Sequence, residues 1–424
     1  MEEPDGAPVA PRASAWEGAG PSDPSAVRLL VLSNGQGEDA IGSALAGAVA
    51  AHAPFPLRIA GWPMVGRGAA YLRRGIPVIG PPNLLPSEGF GTLSARAFGR
   101  DLRAGWLPVH WRQLRGAIAL RGAFDFAIAV GDIVPLAAAR ASRLPFAFVG
   151  CAKSAYYAGG TGYTALERRF MRQAVACYPR DARTAQALAR RGVRTRDLGN
   201  PMMDGWGDVG RAIDLRDGEG VVACLPGSRG DRELNAATIL GMIVHERARF
   251  ASAGLAHFAF ALPPDFDRQR LHALLAASSG ATVAWESDMT GAHDEPATLR
   301  CGALRATLAY NALGAVLARA RVAIGLAGTA NEQAVGAGVP VVTFATEGVQ
   351  GDSYLQMKMP FFGESAMRVA RDPAAVADAV LRVAGDDELH ARMVAAGRER
   401  MGAPGATAAI AADIVLHLRR TGGA

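Results

Sequence analysis

Short apolar runs recur along the chain, and each is closed by a polar, glycine-containing turn. Residues 27–32, 124–130, 146–150, 221–225, 258–262, 322–325 and 339–344 show little or no alternation of polar and apolar positions. Runs of this length and uniformity predict strands buried on both faces, as in a parallel sheet. Helix-like stretches fall between them, at residues 40–52, 233–249, 334–338, 374–384, 387–400 and 406–420. Residues 57–60, 175–178, 195–198, 283–286 and 307–310 add shorter strands. Strand, turn and helix repeating in this order predict an α/β class with doubly wound sheets.

The pattern breaks once near the middle. Gly199-Asn200-Pro201 marks a turn, and residues 206–219 are rich in Gly and Asp, as a linker would be. At 424 residues the chain is long for one core, and two domains are expected. Residues 1–25 are rich in Pro, Ala, Gly and Ser and predict a disordered tail. Residues 26–205 form the first domain, 220–401 the second. Residues 402–424 hold a last helix that packs back on the first domain. No apolar run reaches the length of a membrane span, and the start lacks the basic and apolar pattern of a signal peptide. Cys151, Cys177, Cys224 and Cys301 are scattered, with no CxxC pair or Cys/His cluster, so neither a disulfide framework nor a metal site is expected. These features fit a cytoplasmic protein.

The net charge of +6 matters less than its placement. Residues 95–121 carry Arg96, Arg100, Arg103, Arg112, Arg115 and Arg121, with Trp106 and Trp111 interleaved and Asp101 the one acid. Arginine and tryptophan beside leucines suit an anionic membrane surface at the cytoplasmic face; a solvated helix pair reads equally well. No nucleic-acid-binding module surrounds the patch, and nucleic acid is not an expected partner.

Candidate chemistry sits in the turns after the strands. Asn34-Gly35-Gln36-Gly37-Glu38-Asp39 follows the first strand but does not match GxGxxG, and no acid ends the next strand, so a dinucleotide site is set aside. Glu38 and Asp39 also suit a helix start. Asp132 ends the third strand, where a carboxylate acts as a general base or as a helix N-cap. Lys153, one of two lysines in the chain with Lys358, follows the fourth strand and suits a phosphate. Pro226-Gly227-Ser228-Arg229 repeats the strand-to-glycine-turn arrangement with an arginine fork. Gly328-Thr329 turns into a helix opened by Asn331, Glu332 and Gln333, and a small-residue turn at a helix start suits an anion. Gly348 to Asp352, with Gln350, forms one more loop on that side. Asp265-Phe266-Asp267 reads as a helix start rather than a metal motif.

Two successive Rossmann-like domains with a cleft between them look like the GT-B architecture. Leu225-Pro226-Gly227-Ser228-Arg229 resembles the LPGSR segment of lipid-A-disaccharide synthases, and Gly328-Thr329-Ala330 with Val339-Pro340-Val341-Val342 resembles that family's GTA…PMVV segment. Gly199 to Asp204 resembles its GHPLxD, with Asn200 in place of His. The resemblance runs from about Arg28 to Arg420 and points to a divergent, related subgroup. It implies sugar transfer from a UDP-sugar to an amphiphilic, lipid-linked acceptor by a metal-independent hexosyltransferase with no cofactor, peripheral on the cytoplasmic membrane face. By that resemblance Asp132 is the base. Gly227, Ser228, Arg229, Gly328, Thr329 and Ala330 hold the donor diphosphate, and Gln350 belongs to the donor site. Glu332 or Gln333 binds the ribose; the family's glutamate position falls on Gln333. Gly35, Gly37, Glu38, Asp39, Lys153 and Asn200 lie near the acceptor or the sugar. A homodimer is admitted. Two other readings stay open: a UDP-sugar epimerase of the same fold, and a non-catalytic membrane-associated binding protein.

Overall fold

The computed structural model describes residues 25–80, 106–158, 160–205, 220–278, 285–288, 296–348 and 350–421. The N-terminal tail, the 206–219 linker and residues 95–105 of the Arg/Trp-rich stretch lie outside the described residues, as do the side chains of Trp106 and Arg112. The chain divides into two compact units, one of Met1–Asp204 with Pro404–Ala424 and one of Gly205–Ala403.

The first unit is built on five parallel strands: β1 (Val27–Ser33), β2 (Leu57–Pro63), β3 (Phe126–Val130), β4 (Phe146–Gly150) and β5 (Ala176–Pro179). Their order is β2-β1-β3-β4-β5. The connection therefore reverses direction between β1 and β3, and the loops leaving these two strands flank the reversal. In doubly wound sheets that crevice is where ligands bind. All five residues of β3 and of β4 are buried, which explains their unbroken apolar sequence. Helices α1 (Gln36–His52), α2 (Trp106–Ala119), α3 (Ile133–Ser142), α4 (Ala165–Met171) and α5 (Ala182–Ala189) connect or flank the strands. Helix α1 starts at Gln36 rather than residue 40, which puts Glu38 and Asp39 inside its first turn. Residues 195–198 make a single bridge, Thr195 to Cys177, rather than a strand. Trp111 on α2 is 61% exposed.

The second unit holds eight strands in the order β13-β12-β11-β6-β7-β10-β9-β8. They are β6 (Val221–Leu225), β7 (His257–Leu262), β8 (Glu286–Asp288), β9 (Ala297–Cys301), β10 (Leu304–Tyr310), β11 (Ala320–Gly325), β12 (Val341–Thr343) and β13 (Ala366–Arg368). The β13-to-β10 part is parallel; β9 pairs antiparallel with β10 and with β8. The β9–β10 hairpin is a departure from the pattern reading. Thr298 and Arg300 interrupt β9 with polar positions, as expected of an edge ribbon. Helices α6 (Arg232–His245), α7 (Thr329–Gly336), α8 (Asp352–Phe362), α9 (Pro373–Gly385) and α10 (Asp387–Met401) belong to the unit, as do Arg268–Ser278 and Leu313–Arg319. The helical stretch expected at 233–249 ends at His245, and a separate short helix, Arg247–Ser252, follows. The reversal in this sheet falls between β6 and β11.

The last helix, α11 (Ala406–Thr421), packs on α1 in the first unit, burying Ile410, Ile414 and Leu418. Residues Asp387–Arg420 reach the length of a membrane span, 34 residues with a mean hydropathy of 1.3 in their most apolar window. The segment is two helices rather than one, because Gly402 takes a φ of 80° and the chain breaks before α11. Asp204 holds the start of α11: its carboxylate accepts the backbone N–H groups of Gly405 at 2.5 Å and Thr407 at 2.6 Å. Asp204→Ala is therefore expected to cost about 1–2 kcal/mol, as loss of a helix cap does. A lowered urea midpoint with unchanged m-value would register it.

Candidate functional site

In the first unit the loops leaving β1 and β3 meet through one side-chain bond. Asn34 Nδ2 donates to Asp132 Oδ2 at 3.0 Å. Asp132 is also the N-cap of α3, accepting the Val134 N–H at 2.9 Å. Gly131 has a φ of 119°, and a Cβ there would lie 2.9 Å from Glu38 Cγ, so only glycine lets the first turn of α1 come this close. Burial is the main influence on the Asp132 carboxyl and raises its pKa. The bonds from Val134 and Asn34 and the charge of Lys153 oppose that rise, and Glu167 adds to it. A carboxyl with a raised pKa at the carboxyl end of a central strand is suited to taking and returning a proton.

Lys153 follows β4 and its ammonium is engaged by Glu167 at 2.6 Å. Glu167 is buried at the start of α4 and forms a reciprocal capping box with Thr164. The Thr164-x-x-Glu167 spacing is itself a helix-start signature, so the sequence contained a signal for Glu167 that pattern reading passed over. Asp39 lies deeper. It is buried, accepts from Ser33 Oγ at 2.6 Å, and Ser33 Oγ also meets the buried Tyr71 hydroxyl at 2.7 Å. Burial pushes the Asp39 carboxyl up to about 7. Asn200 is fully buried after β5, its Oδ1 accepting the Met202 N–H at 3.1 Å. Its Nδ2 has no partner among the described residues. Gly35 takes a φ of 120° ahead of α1, and Gly37 lies in the first turn of that helix.

In the second unit two glycine turns flank the β6/β11 reversal. Leu326 N–H donates to Leu225 O at 2.8 Å, so the turns start side by side. Gly227 has a φ of 95°, and a Cβ there would sit 3.2 Å from Leu326 O. A buried asparagine from the following helix clamps each turn. Asn235 of α6 donates to Pro226 O at 3.0 Å, and Asn331 of α7 donates to Gly325 O at 3.1 Å. Ser228 and Thr329 stand exposed at the turn tips, with Arg229 and Ala330 half-buried. Gly328 caps α7 without any side-chain bond. The first N–H groups of that helix are thus not taken by a cap, as an anion site requires.

Gln350 and Tyr354 close the same region. A Cβ on Gly328 would lie 3.3 Å from the Tyr354 hydroxyl and 3.8 Å from Gln350 Nε2. Gln350 is buried, and its Oε1 has no partner among the described residues. Glu332 turns away from solvent into a buried ion pair with Lys358 of α8 at 2.5 Å. Gln333, its neighbour, is half-buried. Lys358 was visible beforehand only as one of two lysines; its partner is a product of packing. Among the described residues no group of His, Cys, Asp or Glu has the arrangement of a metal site.

Two Rossmann-like α/β domains in succession, each with its loops at the strand ends of a doubly wound sheet, make a GT-B-like fold. No protein-family model and no curated protein matches the chain. Among solved structures, the chain is similar to the S. aureus MnaA–UDP co-structure, at 12% identity and a TM-score of 0.58 over 93% of this chain and 97% of that one. A putative UDP-N-acetylglucosamine 2-epimerase from Listeria monocytogenes is similar at 13% identity and TM-score 0.57, again over 93% and 97%. CalG4, the calicheamicin glycosyltransferase, matches at 16% identity and TM-score 0.58, over 92% and 98%. At these identities the likeness shows the fold.

These similarities correct the resemblance to lipid-A-disaccharide synthases. The similar structures include UDP-N-acetylglucosamine 2-epimerases and the calicheamicin and kitacinnamycin glycosyltransferases, and the specific expectation of a hexosyltransferase acting on a lipid-linked acceptor is withdrawn with the family. The physical reason lies in the motifs. LPGSR and GTA are the two glycine turns beside the β6/β11 reversal. Their small residues meet a demand of the backbone, the positive φ of Gly227 and the uncapped start of α7, that is set by the architecture.

Proposed function

We propose that the protein is a UDP-sugar-binding enzyme that isomerises the sugar and returns it still linked to UDP. The observation that carries this reading is the pair of asparagine-clamped glycine turns at the β6/β11 reversal, closed by Gln350 and Tyr354. Two adjacent turns with exposed hydroxyl tips, an arginine and an uncapped helix start suit a diphosphate. The S. aureus structure similar to this chain is a complex with UDP. The first domain supplies the other requirement of an isomerase, a carboxyl whose burial raises its pKa, Asp132. In this reading the second domain holds the diphosphate through Ser228, Arg229, Gly328 and Thr329, and no metal is needed.

UDP is expected to raise the melting temperature, since a ligand at about 100 times its Kd adds about 2.7 kcal/mol. Gly227→Val forces a β-branched residue into a positive φ against Leu326 O, and UDP stabilisation should then disappear. Proton NMR of UDP-N-acetylhexosamines incubated with the protein should show a second UDP-linked epimer without accumulation of free UDP. Stoichiometric release of UDP only when an acceptor is present would instead mean transfer, and would overturn the proposal.

A further inference from the structure

Asn34 is buried to 8% exposure at the end of β1, directly beside the candidate base. One side of its amide is accounted for, because Nδ2 donates to Asp132 Oδ2 at 3.0 Å. The other side is not: Oδ1 is buried and has no hydrogen-bond partner among the described residues. A buried carbonyl left without a donor costs about 1–3 kcal/mol, so its retention calls for an explanation. The orientation of the amide follows from its neighbour. An ionised Asp132 only accepts, so the NH2 side must face it and the carbonyl must face away.

Resting on the isomerase reading above, we propose that Asn34 is a bifunctional substrate-contact residue: its NH2 group hydrogen-bonds the Asp132 carboxylate while its carbonyl accepts a hydroxyl or N–H of the sugar. The fold supports the placement. Asn34 and Asp132 end the two strands that flank the reversal of the first sheet. Gly35, with a φ of 120°, lets the chain turn into α1 at once, and Gly131, with a φ of 119°, does the same ahead of Asp132. A ligand that satisfied the Asn34 carbonyl would therefore lie against the group that moves the proton. A sugar lacking the donor would leave that carbonyl buried and unpaired, which is how polar sites reject analogues.

The surroundings of Asp132 are named groups. The Val134 N–H and Lys153 favour its ionised form along with Asn34, Glu167 and burial disfavour it, and Glu38 packs against Gly131 from α1. Removing the Asn34 amide takes away one of the stabilising bonds and leaves the rest.

The test uses the full-length protein and Asn34→Leu, with Asn34→Ser as a smaller change should leucine not fold. Carboxyl-carbon NMR, with the Asp132 signal assigned by its absence in Asp132→Asn, should show the titration of Asp132 moving up by about one unit in Asn34→Leu. Calorimetry with UDP and with UDP-N-acetylglucosamine should show UDP affinity within twofold of wild type. The extra affinity contributed by the sugar should fall by about tenfold, the worth of one hydrogen bond to a buried neutral group. If wild type binds both ligands, and Asn34→Leu keeps the sugar increment and the wild-type titration, the isomerase reading stands and this proposal falls. If wild type binds neither UDP nor the UDP-sugar, the isomerase reading itself falls, and the substrate half of this proposal with it.

Discussion

Replacing Asp132 by Asn is expected to lower the rate of UDP-sugar interconversion by about two to four orders of magnitude, the usual cost of losing a general base. The substitution is chosen because Asn is as good an N-cap as Asp. The Val134 N–H that now reaches Asp132 at 2.9 Å would find the amide oxygen instead, and the new NH2 group would meet the Asn34 carbonyl once the Asn34 amide turns over, so α3 should keep its start. UDP affinity, assigned to the second domain, should not change. The pH dependence adds a second check. Burial raises the Asp132 pKa, so the wild-type rate should climb with pH over a range above that of ordinary carboxylates, as the ionised form becomes populated. The residual rate of Asp132→Asn should lack that limb. Activity near wild type, or an unchanged limb, would remove Asp132 from the proton-transfer role.

Asp39→Asn is expected to do the opposite of most substitutions of buried polar groups and stabilise the protein near neutral pH. In the folded chain the Asp39 carboxyl has been pushed up to about 7 by burial, against an ordinary value of 3.8. A folded-state pKa above the unfolded one means that the folded state holds the proton more tightly. The resulting stability is fully present below about pH 4 and is lost as pH rises toward 7. Over that window the loss is about 4 kcal/mol, taking about 1.4 kcal/mol per pKa unit. Asparagine cannot ionise, yet its carbonyl can still accept from Ser33 Oγ, which now reaches Asp39 at 2.6 Å and also meets Tyr71. Urea unfolding of both proteins between pH 4.5 and 7.5 should therefore diverge, with wild type weakening relative to the variant as pH rises. Parallel curves would mean that Asp39 is ionised at no cost in the folded protein.

Glu38 and Asp39 show how far residue type alone could be read. Both are acids in one polar loop, and sequence reasoning grouped them as a single candidate region. The structure separates them: Glu38 lies along Gly131 near Asp132, whereas Asp39 points into a buried network with Ser33 and Tyr71. A one-residue step around a helix turns a side chain by about 100°, and the face that meets the sheet is set by packing. Lys153 and Glu332 tell the same story. Each was picked out as a candidate ligand contact, and each has an ion-pair partner, Glu167 for one and Lys358 for the other. The β9–β10 hairpin escaped notice because β9 alternates with polar residues and lacks the uniform apolar run by which its neighbours were recognised.

The chain by itself determined its strands and its turns. Apolar runs must leave water, so β1, β3, β4, β6 and β11 could be located from local composition, and the turns after β1, β3 and β6 hold a positive φ, at Gly35, Gly131 and Gly227, that favours glycine. Strand order belonged to the tertiary structure. Whether β1 lies beside β3, and β6 beside β11, depends on how helices of similar apolar character pack on both faces of a sheet, and no local pattern encodes that. Only with that order do Asn34 and Asp132, 98 positions apart, come within a hydrogen bond of each other. The same order places the turns at Gly227 and Gly328 side by side.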